Sequence, residues 1–80
     1  MNIGEAVRER IIELCRERDI SINKLCSMSG VTQSTVNNIV SGRNNSATIS
    51  TIKKLCDGLG ITLGEFFSAP EFDELEQEIR

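Results

Sequence analysis

An all-α fold built from short, closely packed helices is predicted for this 80-residue chain by three observations. Apolar residues recur at helical spacing in one segment after another, and no segment shows strand-like alternation. Residues that cap helices (Asn, Ser, Thr) stand before those segments, and glycines follow several of them. Hydrophobic content is 39%, with no Trp or Tyr and only Phe66, Phe67 and Phe72, so the core is expected to be mostly aliphatic. A chain this short buries a limited share of its surface and has room for one core. The expected organisation is therefore a domain over residues 1–69, followed by an acidic tail or short extra helix over 70–80.

Val7, Ile11, Leu14 and Cys15 stand at i, i+4, i+7 and i+8, with Arg and Glu between them, which predicts a first helix over 3–18. Asn2 and Glu5 can cap its start, and it should end near Asp19. Ser21 opens a second helix over 22–28 whose inward residues are Ile22, Leu25 and Cys26, and Gly30 closes it. Thr32 then offers its hydroxyl to the amides of a third helix running to about Ser41, with Gly42 as the stop signal. Residues 42–46, Gly-Arg-Asn-Asn-Ser, form a polar loop. A fourth helix over 49–58 is expected to bury Ile49, Ile52, Leu55, Cys56 and Leu59, with Gly58 and Gly60 marking its end. Thr62-Leu63-Gly64-Glu65 is a capping-box pattern opening a last short helix, whose Phe66 and Phe67 can plug the core. Beyond Pro70, Phe72, Leu75 and Ile79 are spaced like one narrow helical stripe, fit either for a fraying terminus or for a partner contact.

Composition excludes several classes of function. Cys15, Cys26 and Cys56 are odd in number, match no disulfide framework or paired CxxC zinc pattern, and lie on apolar helix faces; there is no His. Buried, inert thiols are expected, with no metal and no cofactor. With neither a phosphate-binding Gly-rich loop nor a nucleophile beside a base, catalysis is not expected. No apolar run approaches the ~18 residues that span a bilayer, and the N-terminus lacks a signal-peptide layout, so no membrane association and a cytoplasmic location are expected.

The net charge of −3 conceals an uneven distribution. Residues 71–80 carry five acids and one base, which leaves residues 1–70 at +1. Between Ile20 and Lys54 there is no acid, while Lys24, Arg43, Lys53 and Lys54 are basic. Local sign matters more than net charge for attracting phosphate. Within this stretch the third helix is distinctive. At about 100° per residue, with Gln33 at zero, Asn37, Ser41, Ser34 and Asn38 fall at roughly 40°, 80°, 100° and 140°. Val36, Ile39 and Val40 occupy the opposite arc. A face kept polar only for solubility is usually rich in Glu and Lys; amides and hydroxyls instead both donate and accept, as base edges in a DNA major groove require. Gln33 lies in the first turn, where a groove-reading helix reaches bases, and free amides at the starts of helices two and three can hold phosphates.

The run Ile22-Asn23-Lys24-Leu25-Cys26-Ser27-Met28-Ser29-Gly30-Val31-Thr32-Gln33-Ser34-Thr35-Val36-Asn37-Asn38-Ile39 resembles the lambda-repressor-like, Cro-type helix-turn-helix family. Leu25 with the small Cys26, Gly30 with Val31, and the core pair Val36 and Ile39 stand at that family's spacing. Ser41-Gly42-Arg43 and the segment from Ile49 through Phe67 look like its loop and final helices, so the likeness covers about residues 5–67. It implies a five-helix DNA-binding domain in which Gln33, Ser34 and Asn38 contact bases, Thr32 and Thr35 touch thymine methyls or phosphate, and Asn37 lies toward the groove edge. Arg43, with Asn44 beside it, would grip the backbone. One departure is clear: Ile22 stands where the family often has a phosphate-binding Gln, leaving Ser21, Asn23 or backbone amides for that contact.

The expected function is sequence-specific binding of double-stranded operator DNA, by a homodimer on a two-fold-related site, giving transcriptional regulation of the repressor type. One module offers few base contacts, and two half-sites multiply specificity. Two alternatives use the same fold: an antitoxin whose acidic tail engages a basic toxin, and a protein-interaction module that has lost DNA binding.

Overall fold

The computed structural model describes residues 1–41 and 47–79. Its helices are α1 (Ile3–Glu17), α2 (Ile22–Ser29), α3 (Gln33–Val40), α4 (Ile49–Leu59), α5 (Leu63–Phe67) and α6 (Pro70–Asp73), and no strand occurs among the described residues. None of these helices is long and apolar enough to cross a membrane.

Five of the six helices start by one device. The side chains of Asn2, Ser21, Thr32, Thr48 and Thr62 each accept the backbone N–H three residues ahead, at 2.9–3.2 Å. Such a cap satisfies one of the amides a helix leaves unpaired at its start and contributes about 1 kcal/mol. At α5 the capping box is complete, because the Thr62 N–H also donates to Glu65 Oε1 at 3.1 Å. Because these signals are local, the first four helices begin and end, and the fifth begins, within about a residue of where the sequence places them. Gly30 ends α2 with φ at +70°, the left-handed conformation that glycine adopts without a Cβ penalty, and its N–H donates to the Cys26 carbonyl at 3.0 Å.

A single aliphatic core joins the helices. Val7, Ile11 and Leu14 of α1, Leu25 of α2, Val36 and Ile39 of α3, Ile52 and Leu55 of α4 and Phe66 of α5 are all buried in it. α2 lies against α4, while α3 packs on α1 and α2. Phe66 is fully buried and meets Phe67 edge-on at 5.0 Å; Phe72 lies 5.0 Å from Phe67, which ties α6 to the core's rim. Cys15, Cys26 and Cys56 are free and buried, and burial pushes each thiol above its ordinary value.

Four expectations are corrected by packing. Ile49 is not buried but 65% exposed. It is the first residue of α4, at the edge of a hollow it shares with Ile3, Val7 and Phe67, and the core begins one turn later at Ile52. Gly58 does not end α4, which runs on to Leu59 and is capped by Gly60. Its role is proximity: a Cβ there would stand 2.8 Å from Ser29 Cα, so glycine lets α2 cross α4 closely. The stripe Phe72, Leu75, Ile79 does not form one helix face. α6 stops at Asp73, and the chain turns to the N-terminus, where the Glu76 N–H donates to the Met1 carbonyl at 3.1 Å and the Met1 ammonium pairs with Glu76 Oε1 at 3.2 Å. Ile79 is left 80% exposed. The expected inward residue Ile22 is only half-buried.

Candidate nucleic-acid interface

Three residues, Gly30, Val31 and Thr32, separate α2 from α3. Gly30 makes the left-handed corner, Val31 turns inward to 9% exposure, and Thr32 caps the next helix. Ser29 completes the joint: its hydroxyl donates to the Leu25 carbonyl at 2.7 Å while its backbone rests against Gly58. The start of α3 is thus held by one buried side chain, one glycine corner and one close helix contact.

This joint sets the orientation of α3. Val36 and Ile39 enter the core at 0% and 5% exposure. On the other side Gln33, Ser34, Thr35 and Asn37 are exposed and Asn38 is half-buried. The side chains of Gln33, Ser34, Asn37 and Asn38 make no hydrogen bond among the described residues, so their donors and acceptors remain available to a ligand. Thr32 and Thr35 differ, since their hydroxyls lie 2.8 Å apart and Thr32 also accepts the Thr35 N–H at 3.2 Å. Their polar atoms hold the helix start, while both residues remain exposed. Ser21 is likewise engaged as the α2 cap, whereas Asn23 is exposed without a side-chain hydrogen bond among the described residues. Arg43 and Asn44 lie outside the described residues.

Between Ile20 and Lys54 the sequence carries no acid. Lys24 is exposed on α2, and Lys54 is exposed on α4 beside Lys53, which pairs with Asp57. In the acidic tail Glu76 meets Met1 at the start of α1 and Glu71 lies beside Val40 at the end of α3, while Gln33 and Ser34 remain exposed. The amides of Gln33 and Ser34, ahead of the first intrahelical bonds of α3, add the positive end of a helix dipole.

Two structural residues escape a reading of the sequence. Arg10, with its side chain largely buried, donates from Nε to the Phe66 carbonyl at 2.7 Å and from Nη2 to the Glu65 carbonyl at 2.8 Å, and it pairs with Glu13. A cation there satisfies carbonyls that the end of α5 leaves open. In sequence Arg10 is one of several charged residues flanking an apolar stripe, with nothing to single it out. Gly58 does carry a signal, a glycine inside an apolar helical pattern, but that signal also fits a helix stop.

A glycine-cornered pair of short helices whose second member turns an uncharged polar face outward defines a helix-turn-helix DNA-binding module. The chain belongs to the family of Cro/C1-type helix-turn-helix DNA-binding domains, whose model matches residues 10–71. It is 35% identical over 68 residues to the HTH-type transcriptional regulator PuuR of Escherichia coli (strain K12), a match covering 85% of this chain and 36% of that protein. PuuR of Shigella flexneri matches to the same extent. The chain therefore spans about a third of the length of these curated relatives. Among solved structures it is similar to that of the prophage Lp1 protein 11, with a TM-score of 0.81 and 39% identity, covering 94% of this chain and 100% of that one. The fold is thus of the lambda-repressor-like, all-helical kind.

Proposed function

We propose that this chain binds an operator duplex in a sequence-specific manner and represses transcription from it, acting as a pair of copies on two half-sites. Gln33, Ser34 and Asn38 read base edges, Asn37 works at the groove edge, and the methyl groups of Thr32 and Thr35 meet thymine methyls. The start of α2, with Ser21 and Asn23, lies along the phosphate backbone, and Arg43 and Asn44 follow α3 in sequence where they can grip the next phosphates. The observation that carries this reading is the outer face of α3, where the uncharged side chains of Gln33, Ser34, Asn37 and Asn38 make no hydrogen bond with the described residues. Adenine presents a donor and an acceptor in the major groove, and Gln or Asn meets both at once. A helix face serving only solubility would be charged.

Selection of random duplexes by the purified chain should enrich a palindrome. On that duplex, fluorescence anisotropy should show affinity falling as salt rises, as counterion release requires. Gln33→Ala should then weaken binding by about 1–3 kcal/mol, the usual worth of a bidentate base contact. Equal affinity of wild type and Gln33→Ala for the selected duplex would remove the assigned role.

A further inference from the structure

We infer that Asp19 acts as an electrostatic brake on duplex binding: its carboxylate, held beside the start of α2, weakens the grip of that end on phosphate. This rests on the reading of the chain as a duplex binder whose α2 start lies along the backbone, and it adds a residue that opposes binding. Three helices end in a left-handed corner. At α2 and α4 the corner is a glycine, Gly30 at φ +70° and Gly60 at φ +73°. At α1 it is Asp19 at φ +54°, the one non-glycine residue with positive φ among the described residues. The corners of α1 and α4 share one hydrogen-bond pattern. The Asp19 and Ile20 N–H groups donate to the Arg16 and Cys15 carbonyls at 3.2 and 3.0 Å, as those of Gly60 and Ile61 do to the Asp57 and Cys56 carbonyls at 3.3 and 3.0 Å. The same backbone corner is thus built once with glycine and once with aspartate, and only the aspartate sets a Cβ against the left-handed conformation.

No contact of the side chain offsets that strain. Asp19 is exposed, and its carboxylate has no hydrogen bond or ion pair among the described residues. The dipoles of α1, which ends before it, and of α2, which starts after it, act on the charge in opposite senses. Asparagine tolerates the same corner without a charge, so the charge is what aspartate adds, and a strained outlier of this kind points to a function. Its position supplies one. Asp19 stands two residues before Ser21, the cap of α2, which puts the two Cα atoms within about 7 Å of each other. That is inside the screening length of about 10 Å at 0.1 M salt. Arg16, Arg18 and Lys24 flank the corner in sequence and attract phosphate, and Glu17 already lies 3.9 Å from Arg18, whereas Asp19 is unpaired among the described residues and is the last acid before Asp57. A phosphate held at the start of α2 meets this carboxylate as a like charge. The repulsion is the same on every sequence, so it loosens the hold through the backbone and leaves occupancy to the base contacts of α3.

Fluorescence anisotropy of the full chain on the selected duplex and on an unrelated one, between about 50 and about 300 mM salt, tests this with Asp19→Asn, Asp19→Gly and Glu74→Gln. Asp19→Asn removes the charge and keeps a residue that tolerates the corner. It should tighten binding to both duplexes about three- to tenfold at the lowest salt and lose that gain at the highest. Asp19→Gly should tighten binding to the same degree and, by relieving the corner, also raise the melting temperature by about 4 °C. Glu74→Gln makes the same change of net charge two residues from Glu76, which meets Met1 at the far end of α1, about 22 Å along that helix, and should leave affinity unchanged. Unchanged low-salt affinity of Asp19→Asn overturns the inference, as does an equal gain from Glu74→Gln or a gain that persists at high salt. A shift in melting temperature without a shift in affinity would reduce Asp19 to a part of the corner alone and overturns it too. Should wild type and Asp19→Asn both bind no duplex, the DNA reading falls and this inference with it, whereas binding by wild type that Asp19→Asn does not tighten removes the brake and leaves the DNA reading standing.

Discussion

Helices α2 and α3 are alike in almost every local respect and differ in what surrounds them. Each has eight residues, opens with a hydroxyl cap and buries two side chains, Leu25 and Cys26 in one, Val36 and Ile39 in the other. α2 lies across α4, closely enough that Ser29 touches the backbone position of Gly58. α3 packs by one side only and leaves an arc of amides and hydroxyls uncovered. The difference separates two duties: α2 sets where the corner at Gly30 stands, and α3 carries what is displayed from it. Substitutions in α2 and its contacts should therefore appear as stability, and substitutions on the outer arc of α3 as specificity.

The largest effect expected from this contrast is at Leu25, fully buried in α2, where Leu25→Ala should cost about 2–5 kcal/mol in urea unfolding. Gln33→Ala, for all its expected effect on duplex binding, should change stability by less than about 0.5 kcal/mol, as surface substitutions do. A comparable loss of stability from both would erase the division of duties. Gly58→Ala sharpens the same point, because two effects oppose each other there. Helix propensity favours alanine by about 1 kcal/mol, while forcing a Cβ against the Ser29 backbone costs about 1–3 kcal/mol. With backbone on the receiving side at 2.8 Å, the clash should win, giving a net loss near 1 kcal/mol. A stability gain instead would mean that α2 yields readily and does not hold the corner.

The smallest effect comes from the thiols. Cys15, Cys26 and Cys56 are raised above 9.0 by burial, so in the folded chain they keep their protons at a pH where an unfolded chain gives them up. Between the unfolded and folded values the unfolded state binds fewer protons. The contribution is thus fully present below pH 9 and declines as pH rises beyond it. Urea midpoints should fall from pH 8 to pH 10, and thiol reagents should react with the native protein only as fast as it opens. Rapid labelling of the folded chain would contradict the buried placement of Cys26 beside Leu25.

Much of the molecule was legible before its coordinates because its signals act over three or four residues. An oxygen at Asn2, Ser21, Thr32 or Thr62 finds an amide one turn ahead whatever the rest of the chain does, and Gly30 makes its corner because only the local backbone must permit it. The alternation of apolar and polar arcs on α3 likewise follows from helical period alone, so its outer residues could be named in advance. What tertiary structure decided was each contact that depends on an opposing surface. It left Ile49 uncovered, although its spacing matches that of the buried Ile52. It made Gly58 a crossing point instead of a stop, fastened Arg10 to the end of α5, and bent the tail back to Met1 through Glu76. Period and capping are properties of one helix, whereas burial and close approach belong to pairs of elements distant in sequence, and no local pattern encodes which pair will meet.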